Sequence, residues 1–148
     1  MKRQQIRKRT LQLGLLLILL LTGMSCQQAM ANNETFYVAT NGSDANPGTE
    51  AAPWRTIQHA ANTMGPGDTA LIRGGIYEEA VTINVSGSEN NVITFQSYPG
   101  ETAVLDGTPF SSPDGDIGLQ IVNQSYVTIQ GLEIRNYKTT IPNAVPMG

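Results

Sequence analysis

From Phe36 onward, the apolar positions of this 148-residue chain change their spacing twice. Phe36 to Ala39 is a short apolar run of strand length. Thr40 to Thr49 then reads as turn chemistry: Asn41-Gly42 favours positive φ, Asp44 and Asn46 suit Asx turns, and Pro47-Gly48 sets another reversal. Between Thr56 and Met64 the spacing becomes helical, because Ile57, Ala60, Ala61 and Met64 fall at i, i+3, i+4 and i+7. Gln58, His59 and Asn62 point mainly off that face. Gly65-Pro66-Gly67 predicts the stop, with glycine at the C-terminal cap. A helix this short does not hold by itself and needs an apolar surface beneath it.

After Asp68 the period shortens again. Thr69–Ile72, Ala80–Val85, Val92–Gln96, Ala103–Leu105, Leu119–Val122, Tyr126–Gln130 and Leu132–Asn136 all have strand length and are rich in Val, Ile and Thr. Gly74-Gly75, Ser86-Gly87, Pro99-Gly100, Asp114-Gly115 and Gly131 read as the turns between them. Many short strands with turn punctuation fit either an antiparallel sandwich or a parallel β-helix. The two-residue Asn-Gly turns that join hairpins are missing between these strands. Instead, Val92–Gln96 is echoed by Tyr126–Gln130 at an offset of 34 residues, and Leu132–Asn136 follows after one glycine. Self-similarity of this kind favours a solenoid whose coils bury their inward side chains on one another.

The first 31 residues belong to a different object. Lys2, Arg3, Arg7, Lys8 and Arg9 precede a leucine-rich stretch from Leu11 to Leu21, and Ala29-Met30-Ala31 supplies a small-x-small cleavage signal. The apolar stretch is shorter than the roughly 20 residues a membrane span needs. Cleavage after Ala31 is the preferred reading of this signal peptide. The alternative makes a lipid anchor of Cys26, the lone cysteine, because Thr22-Gly23-Met24-Ser25-Cys26 loosely resembles a lipobox with Gly23 in the usual leucine position. Either way the expectation is an exported chain, secreted or at the cell surface or periplasm, without a disulfide.

Removing the leader changes the charge. Of nine basic residues, only Arg55, Arg73, Arg135 and Lys138 follow Ala31, against all twelve acids, a net of −8. An acidic exported domain lacks the phosphate-neutralising surface that nucleic-acid binding requires. An anionic polysaccharide would need an intervening cation.

Together, Tyr37–Asp44, Asn46–Thr49 and Pro53–Ala60 resemble the N-terminal cap of bacterial pectate-lyase-like right-handed β-helix proteins, including the DUF1565 group and lyases similar to polysaccharide lyase family 9. Pro66-Gly67-Asp68-Thr69, Arg73–Tyr77, Tyr98–Glu101 and Leu105-Asp106-Gly107 continue the likeness, which spans about Phe36 to Tyr137. The resemblance implies an all-β fold: a right-handed parallel β-helix with one short N-terminal capping helix. With the leader read above as a signal peptide (1–31), the expected division is completed by a cap with the helix (32–68) and the first, incomplete coils (69–148). The resemblance further implies that the helix plugs the end of the solenoid. Trp54 is then a packing residue, with a sugar-stacking platform as the alternative.

For activity, the resemblance implies a lyase-like protein acting on uronic-acid polymers. A basic side chain removes the proton α to the carboxylate, and calcium, held by several acids, neutralises that carboxylate. Those residues lie on central coils in such lyases, so no catalytic, cofactor-binding or metal residue carries over here. Calcium is expected only in the full-length protein, and polysaccharide is the expected partner. The alternative is a non-catalytic β-helix for surface display, adhesion or glycan binding. Tyr137 to Gly148 reads as a Pro-bearing loop without a closing cap, so the chain is expected to be one piece of a longer protein and marginal alone.

Other candidates are weaker. Asp114 and Asp116 could offer two calcium oxygens but fit an exposed turn better. Asn41, Asp44 and Asn46 are expected in Asx turns. Arg135 and Lys138 are expected as solvated surface charge rather than base or clamp. Arg73 is expected to bond turn carbonyls, and His59 to lie on the surface.

Overall fold

In a computed structural model of the chain, residues 33–110 and 117–138 are described. The leader, Cys26, Asp114 and Asp116 fall outside them. The ordered elements run β1 (Thr35–Val38), α1 (Ile57–Thr63), β2 (Thr69–Ile72), β3 (Gly75–Tyr77), β4 (Val81–Ile83), β5 (Ile93–Ser97), β6 (Ala103–Asp106), β7 (Leu119–Ile121), β8 (Val127–Gln130) and β9 (Leu132–Arg135).

The strands pair in parallel throughout. They form a four-stranded sheet ordered β1-β2-β5-β8, a three-stranded sheet β3-β6-β9 and a two-stranded sheet β4-β7. The chain visits the three sheets in the same order on successive passes, so it is a parallel β-helix. The expected offset of 34 residues is the register of one coil on the next: Ile93 pairs with Val127, and Gln96 with Gln130. The one-glycine corner is also present. Gly131 turns the chain from β8 into β9 with φ at +71°, and the Ser97 hydroxyl of the previous coil donates to its carbonyl at 2.6 Å.

Register places like positions above one another, and this builds the core. Phe36, Ala70, Phe95 and Ile129 share one inward ladder, in which a small residue separates two rings. Phe95 is fully buried, as are Ile72, Ile83, Ile93 and Leu105. Outward positions between them are polar or half-exposed, the alternation expected of a sheet with one wet face.

Strand ends differ from the sequence expectation by a residue or two, but β3 was missed. Gly74-Gly75 reads as a turn in sequence, whereas Gly75 is the first residue of a strand that pairs with Ala103. Helix α1 is where expected, but its ending is not. Met64, in extended backbone at φ −66° and ψ 149°, closes it instead of a left-handed glycine. Its N–H donates to the Ala60 carbonyl, and Asp68 takes the N–H of Gly65 at 2.8 Å.

Helix α1 packs on β4 and β1 through Ile57, Ala60 and Ala61. Its off-face residue Gln58 also does structural work. The Gln58 side-chain oxygen accepts from the Thr82 N–H at 2.7 Å, and its amide nitrogen donates to the Thr82 carbonyl at 3.1 Å. Thr82 lies in β4, whose strand partner is β7 on one side only. One side chain thus occupies the open edge as a strand would, a way of blunting edge-to-edge association.

Candidate functional site

Three surfaces gather polar residues, and the first is the start of α1. A helix N-terminus leaves its first N–H groups without partners. Here Asp44 Oδ1 accepts from the N–H of Arg55 at 2.8 Å and Thr56 at 3.0 Å. Glu79 accepts from Ile57 at 2.8 Å and Gln58 at 2.9 Å, and the Thr56 hydroxyl accepts from His59 at 3.1 Å. Five consecutive N–H groups are thereby satisfied from three separate segments. Burial pushes the Glu79 carboxyl upward, and the two N–H donors offset this only in part. At Asp44 burial acts in the same sense, but the Thr56 and Arg55 donors outweigh it and the net shift is downward. Beside them a cleft of about 340 Å³ is lined by Thr40, Arg55, Thr56 and the segment from Ile76 to Glu79. Of its two carboxylates, Glu79 is committed to the helix start, while Glu78 is exposed.

The second surface lies along the corners flanking β6. Arg73 forks onto Glu101, with Nη2 donating at 2.7 Å and Nε at 3.0 Å, and its guanidinium lies 4.5 Å from the centre of the Tyr98 ring. Glu101 also accepts from the Gly74 N–H at 2.6 Å. Further along, Asp106 is only 6% exposed and is surrounded by donors. It accepts from the Thr108 hydroxyl, from the Asn136 amide at 3.1 Å, from the Thr108 N–H at 2.8 Å and from Arg135 Nε at 2.9 Å. These bonds, the Thr108 hydroxyl first, hold its carboxyl far below the ordinary carboxylate range.

The third surface is the outward face of the four-stranded sheet. Register aligns Thr35, Thr69, Thr94 and Thr128 in one ladder, and Tyr37, Leu71, Gln96 and Gln130 in the next. All eight are at least partly exposed and none is charged. The rungs repeat about every 4.8 Å. Tyr37 stands 6.4 Å from Tyr98, ring centre to ring centre, at the edge of this face.

These contacts bear out the packing expected of Trp54 and the exposure expected of Lys138, and correct several other expectations. Trp54 is 3% exposed and stacks on Phe36 with ring centres 4.4 Å apart, so it packs and presents no platform to a sugar. Asp44 is not in a local Asx turn but spans eleven and twelve residues to the helix start. Asn46 donates to the Pro53 carbonyl at 2.9 Å, and Asn41 is exposed. Arg73 bonds a carboxylate rather than turn carbonyls. Arg135 is tied to Asp106 and, at 3.1 Å, to Glu133, while Lys138 is exposed. His59 is half-buried, edge-on to Trp54 at 5.0 Å. Sequence reasoning missed Glu79, Gln58 and the threonine and glutamine ladders. Only the ladders left a signal, the repeated Thr-x-Gln of the coils separated by 34 residues. Among the described residues, no three His, Cys, Asp or Glu side chains gather closely enough to hold a metal ion, and no helix is long and apolar enough to cross a membrane.

Parallel coils, a helical plug and a wet outer sheet face define a parallel β-helix protein. The chain belongs to the family described as "Pel9A-like, right handed beta helix region", whose model matches residues 36–147. It is 31% identical over 118 residues to the protein YwoF of Bacillus subtilis, covering 79% of this chain and 25% of that one. It is 33% identical over 101 residues to the pectate lyase PEL9 of Emericella nidulans, covering 66% of this chain and 25% of the relative. Among solved structures it is similar to the pectate lyase Pel9A, with a TM-score of 0.57 and 26% identity over 70% of this chain and 28% of that one. The chain therefore spans about a quarter of the length of the relatives it matches.

Proposed function

We propose that this chain forms the cap and first coils of an exported, polysaccharide-active β-helix protein that is lyase-like on uronic-acid polymers in its full-length form. The observation that carries this reading is the family match across residues 36–147, with pectate lyases among the relatives. Export rests on the leader from Met1 to Ala31. Calcium is part of the reading because a proton α to an ionised carboxylate is removed readily only when that carboxylate is neutralised. Loss of the proton and of the glycosidic oxygen leaves a carbon–carbon double bond in the product. The described residues are read as the architecture that seals and starts the solenoid, with the calcium ligands and the base elsewhere in the full-length protein.

A second reading, a non-catalytic β-helix for display, adhesion or glycan binding, is favoured by one observation. The partly buried or paired carboxylates Asp44, Glu79, Glu101 and Asp106 are each taken up by internal donors. Ultraviolet absorbance of unsaturated products from polygalacturonate separates the two. The lyase reading expects a signal from the full-length protein that a calcium chelator abolishes. No signal with calcium present overturns it in favour of the second reading.

A further inference from the structure

The outward face of the four-stranded sheet differs from the rest of the molecule in charge. Residues after Ala31 carry a net charge of −8, yet the eight aligned outward positions of β1, β2, β5 and β8 bear none. Nor does a basic residue stand on this face to meet a carboxylate. Arg73 is paired with Glu101 at the corner and Arg135 with Asp106 on another sheet. Arg55 lines the cleft beside the helix, on the cap.

What the face offers instead is uncharged hydrogen bonding beside a ring. The side-chain amides of Gln96 and Gln130 have no partner among the described residues, and neither do the hydroxyls of Thr94 and Thr128. An amide provides two donors and an acceptor, and a hydroxyl both roles, the complement of a sugar's vicinal hydroxyls. Tyr37 and Leu71 continue the glutamine ladder as an aromatic and an aliphatic surface, suited to the C–H face of a pyranose ring. The four rungs together extend about 14 Å along the solenoid axis, room for a short run of sugar units. The positions are rigid, because each lies on a paired strand. Tyr37 is further braced by Tyr98, which lies against the Arg73 guanidinium.

We propose that this face is a binding site for a neutral glycan chain, with Tyr37 and Leu71 stacking against sugar rings and Gln96 and Gln130 bonding their hydroxyls. It rests on the reading above only in taking the ligand to be a glycan. It differs in the charge of that ligand, since a uronate chain would meet no counter-charge here. Binding at this face is insensitive to salt, because no ion pair forms.

Affinity electrophoresis of the exported protein in gels containing soluble arabinoxylan, galactan or polygalacturonate tests this. Retardation is expected in at least one neutral gel, unchanged by chelator or added salt. Tyr37→Ala and the pair Gln96→Ala with Gln130→Ala should each weaken it about tenfold, the loss of roughly one stacking or hydrogen-bonding contact. These are outward positions, so circular dichroism melts of the variants should match the parent. Retardation in polygalacturonate alone overturns the neutral site while leaving the lyase reading intact. So does neutral-gel retardation that survives both variants, or no retardation in any neutral gel. Conversely, absence of unsaturated products with neutral binding retained overturns the lyase reading and leaves this site standing.

Discussion

The amide of Gln58 and the backbone of Thr82 exchange two hydrogen bonds, at 2.7 and 3.1 Å, in the manner of adjacent strands. A helix therefore closes the edge of a β-sheet with one side chain.

Gln58→Met keeps the bulk and removes both bonds. With two half-buried backbone groups unpaired, unfolding free energy should fall by about 1–2 kcal/mol, read as a lower midpoint in urea. Gln58→Glu gives a sharper test. Ionised, it still accepts from Thr82 N–H but sets a charge against the Thr82 carbonyl. Protonated, it donates and accepts as the amide does. The folded state thus raises this carboxyl's pKa, so its stabilising contribution is present below the unfolded value and lost as pH rises. The variant should approach the parent in acid and fall behind it at neutral pH; equal gaps at both would refute the pairing.

How much of this was legible beforehand follows from distance along the chain. Period and turn chemistry located α1 and all but one strand, because each is encoded within a few residues. The coil register was legible because Val92–Gln96 and Tyr126–Gln130 repeat in type. Glu79 was not legible, since the N–H groups it serves lie 21 and 22 residues earlier. Nothing local distinguishes it from Glu78. The carboxylate partners of Arg73, expected to bond turn carbonyls, and of Arg135, expected as surface charge, were hidden for the same reason: they lie one coil away, at separations of 28 and 29 residues. β3 was hidden by its glycines, which signal a turn until a neighbouring strand claims them.

Removal of Glu79 tests the shared cap. Glu79→Ala strips Ile57 and Gln58 of their acceptor and should cost about 1–2 kcal/mol. Asp44→Ala, at an exposed position, should cost less. The pH response of Glu79 has a definite sign. Its folded pKa is raised by burial, so its contribution is greatest below the unfolded value and declines as pH rises through the folded one. Urea midpoints of the parent and of Glu79→Gln, compared from about pH 4 to about pH 7, should diverge in that sense: the parent loses stability relative to the variant as pH rises. A parallel pair of curves would show that burial does not govern this carboxyl.

Gly48 and Gly100 form a matched comparison. Both have positive φ, +78° and +80°. A Cβ at Gly48 would meet Trp54 Cε2 at 2.6 Å, whereas at Gly100 nothing lies within 4 Å. Alanine at Gly100 should carry only the left-handed backbone cost, about 1–2 kcal/mol. Alanine at Gly48 adds overpacking against a buried ring, a further 1–3 kcal/mol or so. Trp54 fluorescence should shift for Gly48→Ala and stay unchanged for Gly100→Ala. Equal losses for the two would mean that the ring moves aside freely.

Asp106 supplies the opposite pH dependence from Glu79. Its folded pKa is depressed by Thr108, Asn136 and Arg135, so its contribution is complete above the unfolded carboxyl value of about 3.9. It is lost as pH falls toward the much lower folded value. Asp106→Asn should therefore be less stable than the parent at neutral pH, and the gap should close in strong acid. Glu133 offers an internal control, because it bonds the same Arg135 at 3.1 Å with its side chain 48% exposed. Glu133→Gln should be close to neutral, as solvent-exposed pairs usually are. If the two variants lose the same stability, or if the Asp106→Asn gap persists unchanged in strong acid, then packing of the β6–β9 ladder rather than the ionised carboxylate holds this corner.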